Sequence, residues 1–366
     1  MSFDAIVGQD RAIGALRRIL RAGRVGHAYL FAGPHGVGKM TAARAFVQAL
    51  LCRQQTDDAC GDCEPCAKVA RGTHPDVHRV EPAGAGRQIV LPVFRHPDTG
   101  DGLLKDLRLR PNEAPRNVAL IDDAHAMNAS AANGLLKTLE EPPPASLLIL
   151  VTPRPDALPE TILSRCHLVR FAALPVGIIR DRLEAAGVDR ATAQFLAASA
   201  GGSLGRALHM AGGKDLPELR RETLRLLATL TPANTFQSAA RFLQGIGKLA
   251  EARLEADPAT TARAAARSTA EWLFDLAVLF YRDVALRQLG VDDARLFNVD
   301  VLDLVAAETP IRRGDIQAIL DTIETAKNRL RSNVDTEAVV LDVFSRIASC
   351  RAHRSADTIG EPRRGR

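Results

Sequence analysis

Short, almost continuous apolar runs mark the first half of the chain. Three of them, Ala28–Ala32, Asn117–Ile121 and Ser146–Val151, predict strands, because such runs are typical of a parallel sheet that is buried on both faces. Helical periodicity follows the first two runs, over Met40–Leu51 and Asn128–Glu141. Strands that alternate with helices in this order predict an α/β fold with a parallel sheet.

Helical patterns dominate the second half. Another strand is predicted at His167–Phe171, and the strand pattern ends at about Pro175. Apolar positions then recur at helical spacing, first over a short unit from residue 176 to 213 and then from Leu216 to Cys350. This part of the chain is therefore predicted to be all-helical.

The composition is that of a folded protein with more than one domain. The 366 residues are 46% hydrophobic and 25% charged, which suggests roughly two or three globular domains and excludes a disordered or fibrous chain. No apolar run reaches the roughly 18–20 residues of a membrane span, and the first residues lack the pattern of a signal peptide. We therefore expect a cytoplasmic protein without a membrane partner.

Charge and aromatic content restrict how the chain can meet nucleic acid. The formal net charge is +5, but residues 351–366 hold five Arg against two acidic residues, so the rest of the chain is close to neutral. Aromatic residues make up only 4%, which argues against a module that stacks bases on aromatic rings and against a zinc-containing DNA-binding protein. Any DNA contact is expected to be mainly electrostatic, and the basic tail is predicted to be disordered.

A glycine-rich loop joins the first predicted strand to a helix. Its sequence, Gly33-Pro34-His35-Gly36-Val37-Gly38-Lys39, is typical of a phosphate-binding loop, in which backbone N–H groups surround phosphate oxygens and the lysine reaches the terminal phosphates. The next position normally carries Ser or Thr, whose hydroxyl holds Mg²⁺, but here it is Met40. Because a thioether is a poor ligand for magnesium, we expect nucleotide binding without efficient hydrolysis.

Four cysteines lie close together in the sequence. Cys52, Cys60, Cys63 and Cys66 have the spacing C-x7-C-x2-C-x2-C. Disulfides are disfavoured in a reducing compartment, and four thiolates make a closed tetrahedral zinc site, which would be structural rather than catalytic. The alternative is four free thiols in a loop. His74 would be a fifth ligand and is interpreted as a turn residue.

Two carboxylates and one arginine are further candidates for the chemistry of a nucleotide site. Asp122 follows the second predicted strand, where phosphates and magnesium lie in such sheets, and it matches the magnesium-orienting carboxylate of a Walker B strand. Asp123 stands where many ATPases have a glutamate that polarises water. The alternative is a pair of solvated acids that cap a helix. Arg165 is either a surface residue or points at a phosphate of a neighbouring subunit.

Taken in order, these motifs resemble those of the clamp-loader subunits of bacterial DNA polymerase III, members of the AAA+ superfamily. The resemblance is strong over about residues 4–212 and rests on helical character beyond them. Besides the phosphate loop and the cysteines, the motifs that carry it are Val7-Gly8-Gln9, His27–Phe31, His74-Pro75-Asp76, Leu135–Pro142 and Ser164-Arg165-Cys166.

The resemblance implies four parts: an AAA+ P-loop domain over residues 1–172 with a zinc module at 52–66, a helical lid domain over 173–213, a helical collar domain over 214–350, and the tail over 351–366. It also implies a site for ATP or ADP, with Thr152 as sensor 1 and Arg206 as sensor 2. The full set of implied nucleotide-binding residues is Gly33, Gly36, Gly38, Lys39, Asp122, Thr152 and Arg206.

The resemblance further implies a hetero-pentamer with gamma/tau and delta subunits, which opens a sliding clamp and closes it on primed DNA. Arg165 would be an arginine finger that acts in trans. Motor subunits of gamma/tau type keep Thr in the loop and Glu in the Walker B strand, so Met40 and Asp123 favour a stator-like subunit with little ATPase activity. A motor ATPase is the alternative. Residues 81–115 match neither type and receive no predicted role.

Overall fold

The computed structural model of the chain describes residues 2–54, 57–83, 88–96, 99–211, 216–256, 261–332 and 334–357. They form two compact units. The N-terminal unit comprises the residues up to Ile179 together with Gly201–Arg206, and the C-terminal unit comprises Arg180–Ala200 together with the residues from Ala207 onward.

A five-stranded parallel sheet forms the centre of the N-terminal unit, in the order β2-β3-β4-β1-β5. In β1, Leu30 lies opposite Leu150 of β4 on one side and Leu168 of β5 on the other. Because every pair is parallel, the C-terminal ends of all the strands lie at one edge of the sheet. The strands are β1 (Ala28–Ala32), β2 (Val77–Val80), β3 (Asn117–Ile121), β4 (Ser146–Thr152) and β5 (His167–Arg170).

The strand predictions are confirmed with small changes at the ends. β1 and β3 have the predicted bounds, β4 includes Thr152, and β5 ends at Arg170. The sequence analysis missed β2, whose four residues include a His and an Arg and are only partly buried.

Helices follow and flank the strands. In chain order, the α-helices of the described residues are α1 (Asp10–Arg21), α2 (Lys39–Leu50), α3 (Glu64–Arg71), α4 (Leu91–Phe94), α5 (Leu103–Asp106), α6 (Ala129–Glu140), α7 (Glu160–Leu163), α8 (Val176–Ala185), α9 (Arg190–Ser199), α10 (Leu204–Ala211), α11 (Leu216–Ala228), α12 (Thr235–Ala256), α13 (Ala262–Gln288), α14 (Leu302–Glu308), α15 (Arg313–Arg331) and α16 (Thr336–Asp357).

The continuous apolar character of β1 arises because both faces of the sheet are covered. Tyr29 and Phe31 belong to an apolar cluster that includes Leu16 of α1 and Phe46 of α2. Leu30 belongs to a second cluster, which includes residues of α6. Full burial of such a side chain stabilises the fold by roughly 1.5–3 kcal/mol, so each face contributes to holding the central strand in place.

Residues 88–96 and 99–109, part of the segment without a predicted role, pack against α6. Ile89 forms a short parallel bridge with Met127, and the fully buried Phe94 and Leu107 join the apolar cluster on the α6 side. The absence of a side chain at Gly134 lets α4 approach, since a Cβ there would lie 2.6 Å from Leu91 Cδ1. Helices of four residues carry too little periodicity to be recognised in the sequence.

The C-terminal unit is helical, as predicted, and α13 runs through its core. Trp272 and Phe280 of this helix are buried. A buried arginine, Arg220 of α11, donates a hydrogen bond to Asn298 Oδ1 at 2.7 Å and lies 3.7 Å from the ring centroid of Phe195. A desolvated guanidinium of this kind needs such partners, because an unpaired buried charge is strongly destabilising.

The last helix, α16, includes residues 351–357, for which the sequence predicted disorder. Arg351 donates to the carbonyl oxygen of Leu227 at 3.0 Å and forms an ion pair with Glu308 at 2.5 Å, which explains why the helix continues. The rest of the predicted tail, residues 358–366, lies outside the described residues. Within the described part of the chain, no helix is long and apolar enough to cross a membrane.

A fully buried carboxylate, Asp76, anchors the start of β2. It accepts hydrogen bonds from the backbone N–H groups of Asn112, Glu113 and Ala114 at 2.6–2.8 Å, and one from the Asn112 side chain at 3.0 Å. Burial alone would raise the pKa of Asp76, but these donors outweigh it and hold the pKa below its ordinary value of 3.8. The stabilisation is therefore present above that value and is lost as pH falls through the lowered pKa.

Replacing this carboxylate is expected to destabilise the N-terminal unit. Asp76→Asn should cost about 2 kcal/mol in the free energy of unfolding at pH 7, because it removes a charged acceptor and places an amide among backbone N–H donors. Urea unfolding measures this loss, and Asp156→Asn, at an exposed position, is the control. The difference between wild type and variant should shrink toward pH 3, and a difference independent of pH would contradict the electrostatic explanation.

Candidate functional site

The predicted phosphate loop connects β1 to α2 and lies at the C-terminal edge of the sheet. Gly38 is the N-cap of α2 and has a φ of 98°, a conformation that favours glycine. Gly36 is in close contact with the start of α10: its carbonyl oxygen accepts from Gly205 N at 2.9 Å, and a Cβ at Gly36 would lie 2.2 Å from Ser203 Oγ. The backbone geometry therefore explains the glycines of the motif.

Lys39 lies inside this loop. Its ammonium group donates hydrogen bonds to the carbonyl oxygens of Gly33 at 2.7 Å and Pro34 at 2.6 Å, and the residue is only 6% exposed. Burial lowers the pKa of Lys39, while the charges of Asp123 and Asp122 oppose that effect. The loop thus holds one buried cation close to two carboxylates.

Met40 occupies the position of the missing hydroxyl, and its side chain packs against the apolar cluster that contains Phe46. Ile6 packs against the same cluster. The residue that would provide a magnesium ligand in a hydrolytic loop therefore contributes to the apolar core instead.

The ends of β3 and β4 bring further predicted residues to this edge. Asp122 directly follows β3; its carboxylate accepts from Asp123 N at 2.9 Å, and burial raises its pKa. Asp123 has left-handed backbone angles, φ 44° and ψ 47°, which cost a residue other than glycine on the order of 1 kcal/mol or more. Thr152 ends β4, is fully buried and accepts from Arg154 N at 3.0 Å.

Arg206, the predicted sensor 2, lies in the first turn of α10. Its backbone N–H donates to Ser203 Oγ at 3.1 Å, and the neighbouring Gly205 contacts the phosphate loop as described above. The structure thus places the start of α10 beside the loop. Ser203 had no predicted role, and its position three residues before Arg206 in a helix-capping pattern is the signal that could have revealed it.

Arg165 lies at the opposite edge of the sheet. It borders a groove of about 540 Å³ that is also lined by His27 and His167, next to the first residues of β1 and β5. Its guanidinium donates to the Thr161 carbonyl oxygen at 3.0 Å and forms an ion pair with Glu140 at 2.9 Å. Since a five-residue strand spans about 16 Å, Arg165 is remote from the phosphate loop of its own chain.

The neighbouring thiol of Cys166 is not activated. Burial raises its pKa to about 11, so the thiolate that would be needed for nucleophilic chemistry is disfavoured. Glu140, which the sequence analysis did not single out, belongs to the Leu-Glu-Glu-Pro motif that follows the buried face of α6.

The four cysteines of the predicted metal site converge. Their sulfur atoms all lie within 4.8 Å of one another; the Cys60–Cys66 and Cys52–Cys63 pairs are separated by 3.9 Å and 4.0 Å. A tetrahedral zinc ion with Zn–S bonds of about 2.3 Å places its sulfurs about 3.8 Å apart. The cluster therefore fits one metal ion after a small contraction.

Backbone donors favour the thiolate of Cys63, whereas burial raises the pKa of the Cys66 thiol to about 12. Burial raises the pKa of Cys63, but backbone N–H groups of Arg53 and Cys66, together with neighbouring thiols, outweigh it and lower the pKa to about 6. His74 is not among the converging ligand atoms; its Nδ1 accepts from Asp76 N at 3.2 Å, in a turn. Four cysteine sulfurs without a histidine are a donor set that zinc prefers, and zinc itself favours their thiolate form.

A basic groove of about 800 Å³ lies between α6 and the segment that carries α4 and α5. Its cations are Arg95, Lys105, Arg108 and Lys137. Lys105 forms an ion pair with Asp101, and the described residues that line the groove include no acidic side chain. This concentration of positive charge was not apparent from the sequence, because the four cations are spread over α5, α6 and the residues that follow α4 and α5.

Comparisons with known proteins connect this geometry to DNA polymerase III. A family model described as "DNA polymerase III, delta subunit" matches residues 8–175. The delta-prime subunit of DNA polymerase III from Bacillus subtilis (strain 168) is 28% identical over 335 residues, which are 91% of this chain and 94% of that protein. The tau subunit from Escherichia coli (strain K12) is 38% identical over 217 residues.

Coverage separates the two kinds of relative. The tau match spans 57% of this chain but only 32% of the tau subunit, whereas the delta-prime match spans nearly all of both proteins. A solved structure of a gamma-subunit-related protein from Thermotoga maritima covers 93% of this chain and 99% of its own, with a TM-score of 0.44 and 15% identity, too distant to bear on function.

The structure has a parallel α/β sheet with a loop of phosphate-binding type followed by a helical second half, and the sequence relatives of the chain are subunits of DNA polymerase III. Within that group, the chain resembles the delta-prime subunit along almost its whole length. The predicted resemblance and fold class are thereby confirmed.

Proposed function

We propose that this chain is the delta-prime, stator-like subunit of a DNA polymerase III clamp loader, which helps to load the sliding clamp on primed DNA. In this role Arg165 acts as an arginine finger in trans, in the ATP site of a neighbouring subunit. The observation that carries the proposal is the position of Arg165 at the sheet edge opposite its own phosphate loop, in an open groove, which supports a role toward another chain rather than toward its own loop.

The chain's own site is proposed to bind ATP or ADP without efficient turnover. Gly33, Gly36, Gly38 and Lys39 would hold the phosphates, and Asp122, Thr152 and Arg206 would lie around them. The packing of Met40 into the apolar cluster supports weak hydrolysis, because that position then offers magnesium no oxygen ligand.

The alternative is a motor ATPase of gamma/tau type. It is favoured by the 38% identity to the tau subunit and by the retention of Lys39 and Asp122. ATP turnover by the isolated chain separates the two functions, since only a motor hydrolyses ATP with its own loop.

The proposed partners are gamma/tau and delta subunits in a hetero-pentamer, the clamp and primed DNA. The proposed division into P-loop domain, lid and collar assigns assembly to the helices of the C-terminal unit. The four-cysteine cluster is proposed to hold a structural zinc ion, which the sulfur geometry supports. The basic groove is proposed to contact the phosphate backbone of DNA, because its cations lie on one surface of the N-terminal unit.

Removal of the finger should lower the ATPase rate of the assembled complex. Arg165→Ala is expected to reduce ATP turnover at the site that it serves by roughly 10³-fold. The complex should therefore lose at least the part of its total ATPase rate that this site contributes. The measurement is steady-state ATP hydrolysis by a reconstituted clamp loader, with assembly checked by gel filtration. Arg170→Ala, an exposed arginine of β5, is the matched control and should have no effect. Turnover by the isolated chain that is indifferent to Arg165→Ala would favour the motor ATPase.

The proposed metal ligands can be tested by measuring the zinc content of cysteine variants. Cys63→Ser should reduce bound zinc from about one ion per chain to a small fraction and lower the stability of residues 52–66, because metal binding and local folding are coupled. Elemental analysis after removal of loosely bound metal measures the content. Cys350→Ser, a cysteine of α16 outside the cluster, is the control; equal zinc in both variants would exclude these ligands.

Charge removal in the basic groove should weaken DNA binding in a salt-dependent way. Arg108→Ala and Lys137→Ala are each expected to reduce the slope of log affinity against log salt by about 0.9, the contribution of one phosphate contact on duplex DNA. Fluorescence anisotropy with primed DNA and the assembled complex gives the slope. Lys248 is an exposed lysine of α12, and the control variant Lys248→Ala should leave the slope unchanged. An equal change of slope in all three variants would indicate only a general effect of charge.

A further inference from the structure

Asp58, in the described part of the loop between the first two cysteines, contacts the N-terminal segment, which we define as residues 2–9. Asp58 accepts a hydrogen bond from Ser2 Oγ at 2.6 Å, and both of its carboxylate oxygens lie 3.2 Å from Phe3 N. Arg17 of α1 donates to the same carboxylate at 3.0 Å. One carboxylate therefore joins the cysteine loop, the N-terminal segment and α1, although the residues it connects are more than 40 positions away in sequence.

An apolar anchor supports this contact. Phe3 is 1% exposed and belongs to the same cluster as Leu16 and Leu51. The guanidinium carbon of Arg17 lies 5.8 Å from the centroid of the Phe3 ring. Leu51 directly precedes Cys52, so Phe3 packs in the same apolar cluster as the residue next to the first cysteine.

The same segment continues to the phosphate loop. A Cβ at Gly38 would lie 3.8 Å from Ile6 Cγ2, an ordinary van der Waals distance. The buried Gln9 side chain donates to the Ala172 carbonyl oxygen at 2.8 Å and accepts from Ala172 N at 3.1 Å; its amide also lies 3.4 Å from the Val37 carbonyl oxygen. The N-terminal segment is thus fixed at the cysteine loop at one end and borders the nucleotide loop at the other.

We propose that the cysteine loop positions the N-terminal segment beside the phosphate loop, with Asp58 as the positioning residue, so that metal held by the cysteines stabilises the packing of this segment and of the phosphate loop that it borders. The inference rests on the proposed zinc site. A metal bound to Cys60 would restrain the adjacent residues 57–59 of that loop and fix the Asp58 carboxylate where Ser2 and Phe3 meet it. Without the metal, the cysteines no longer restrain that loop.

Hydrogen exchange of the full chain, followed by mass spectrometry, tests this coupling. Asp58→Asn should increase exchange in residues 2–9 by about tenfold, the scale expected when hydrogen bonds to one carboxylate are lost, and should increase it to a lesser extent in residues 33–40. Zinc content should be unchanged. Asp62→Asn, an exposed acidic residue of the same module, is the matched control and should exchange like the wild type.

Chelation of the wild-type chain provides the second measurement. Removal of zinc should raise exchange in residues 2–9 and 33–40 to the level of Asp58→Asn, and re-addition of zinc should restore protection. Protection of residues 2–9 that survives chelation, or that survives Asp58→Asn, would overturn the coupling even if the cysteines bind zinc. A chain that carries no zinc would instead refute the metal site itself, and with it the stabilisation of these segments by metal.

Discussion

The parallel placement of β1 between β4 and β5 is the constraint on which the arrangement of the N-terminal unit depends. Because the strands are parallel, the C-terminal ends of β1, β3 and β4 lie at one edge of the sheet, together with the phosphate loop, Asp122 and Thr152. The starts of β1 and β5 lie at the other edge, next to Arg165. A one-residue shift in the register of β1 would move Tyr29 and Phe31 to the opposite face of the sheet and disrupt the packing on both faces, so the register of β1 is strongly specified.

Helix α2 connects the phosphate loop to the cysteine cluster. The helix begins with Lys39 in the phosphate loop and ends one residue before Leu51, which precedes Cys52. Gln48, on its last turn, is buried and donates to the Cys66 carbonyl oxygen at 2.9 Å. About 18 Å of helix therefore connects the loop rigidly to the cluster. The N-terminal segment makes a second connection between the same two places, so the cysteine module is part of the framework of the nucleotide edge.

Features set by local sequence were predictable, and features set by distant contacts were not. β1 and the four cysteines were predicted because apolar runs and ligand spacing are visible along the chain. β2 was missed because its alternation is short and its partner, β3, lies about 40 residues away. The acceptor role of Asp76 was equally hidden, since its donors are backbone N–H groups of residues 112–114. The pairing of Arg165 with Glu140 depends on how α6 meets α7.

Met40 places an apolar side chain in a loop that has the backbone geometry of a phosphate-binding loop. Magnesium coordination needs an oxygen at this position, whereas the position itself borders the apolar cluster around Phe46. A methionine there gains burial without altering the glycine backbone, and it leaves Lys39 in place. The opposite edge of the sheet shares none of these atoms, so the geometry of Arg165 is independent of the change. A role for Arg165 at one edge and a role for the phosphate loop at the other therefore depend on different residues of the same sheet, which is the physical basis of the stator-like function proposed above.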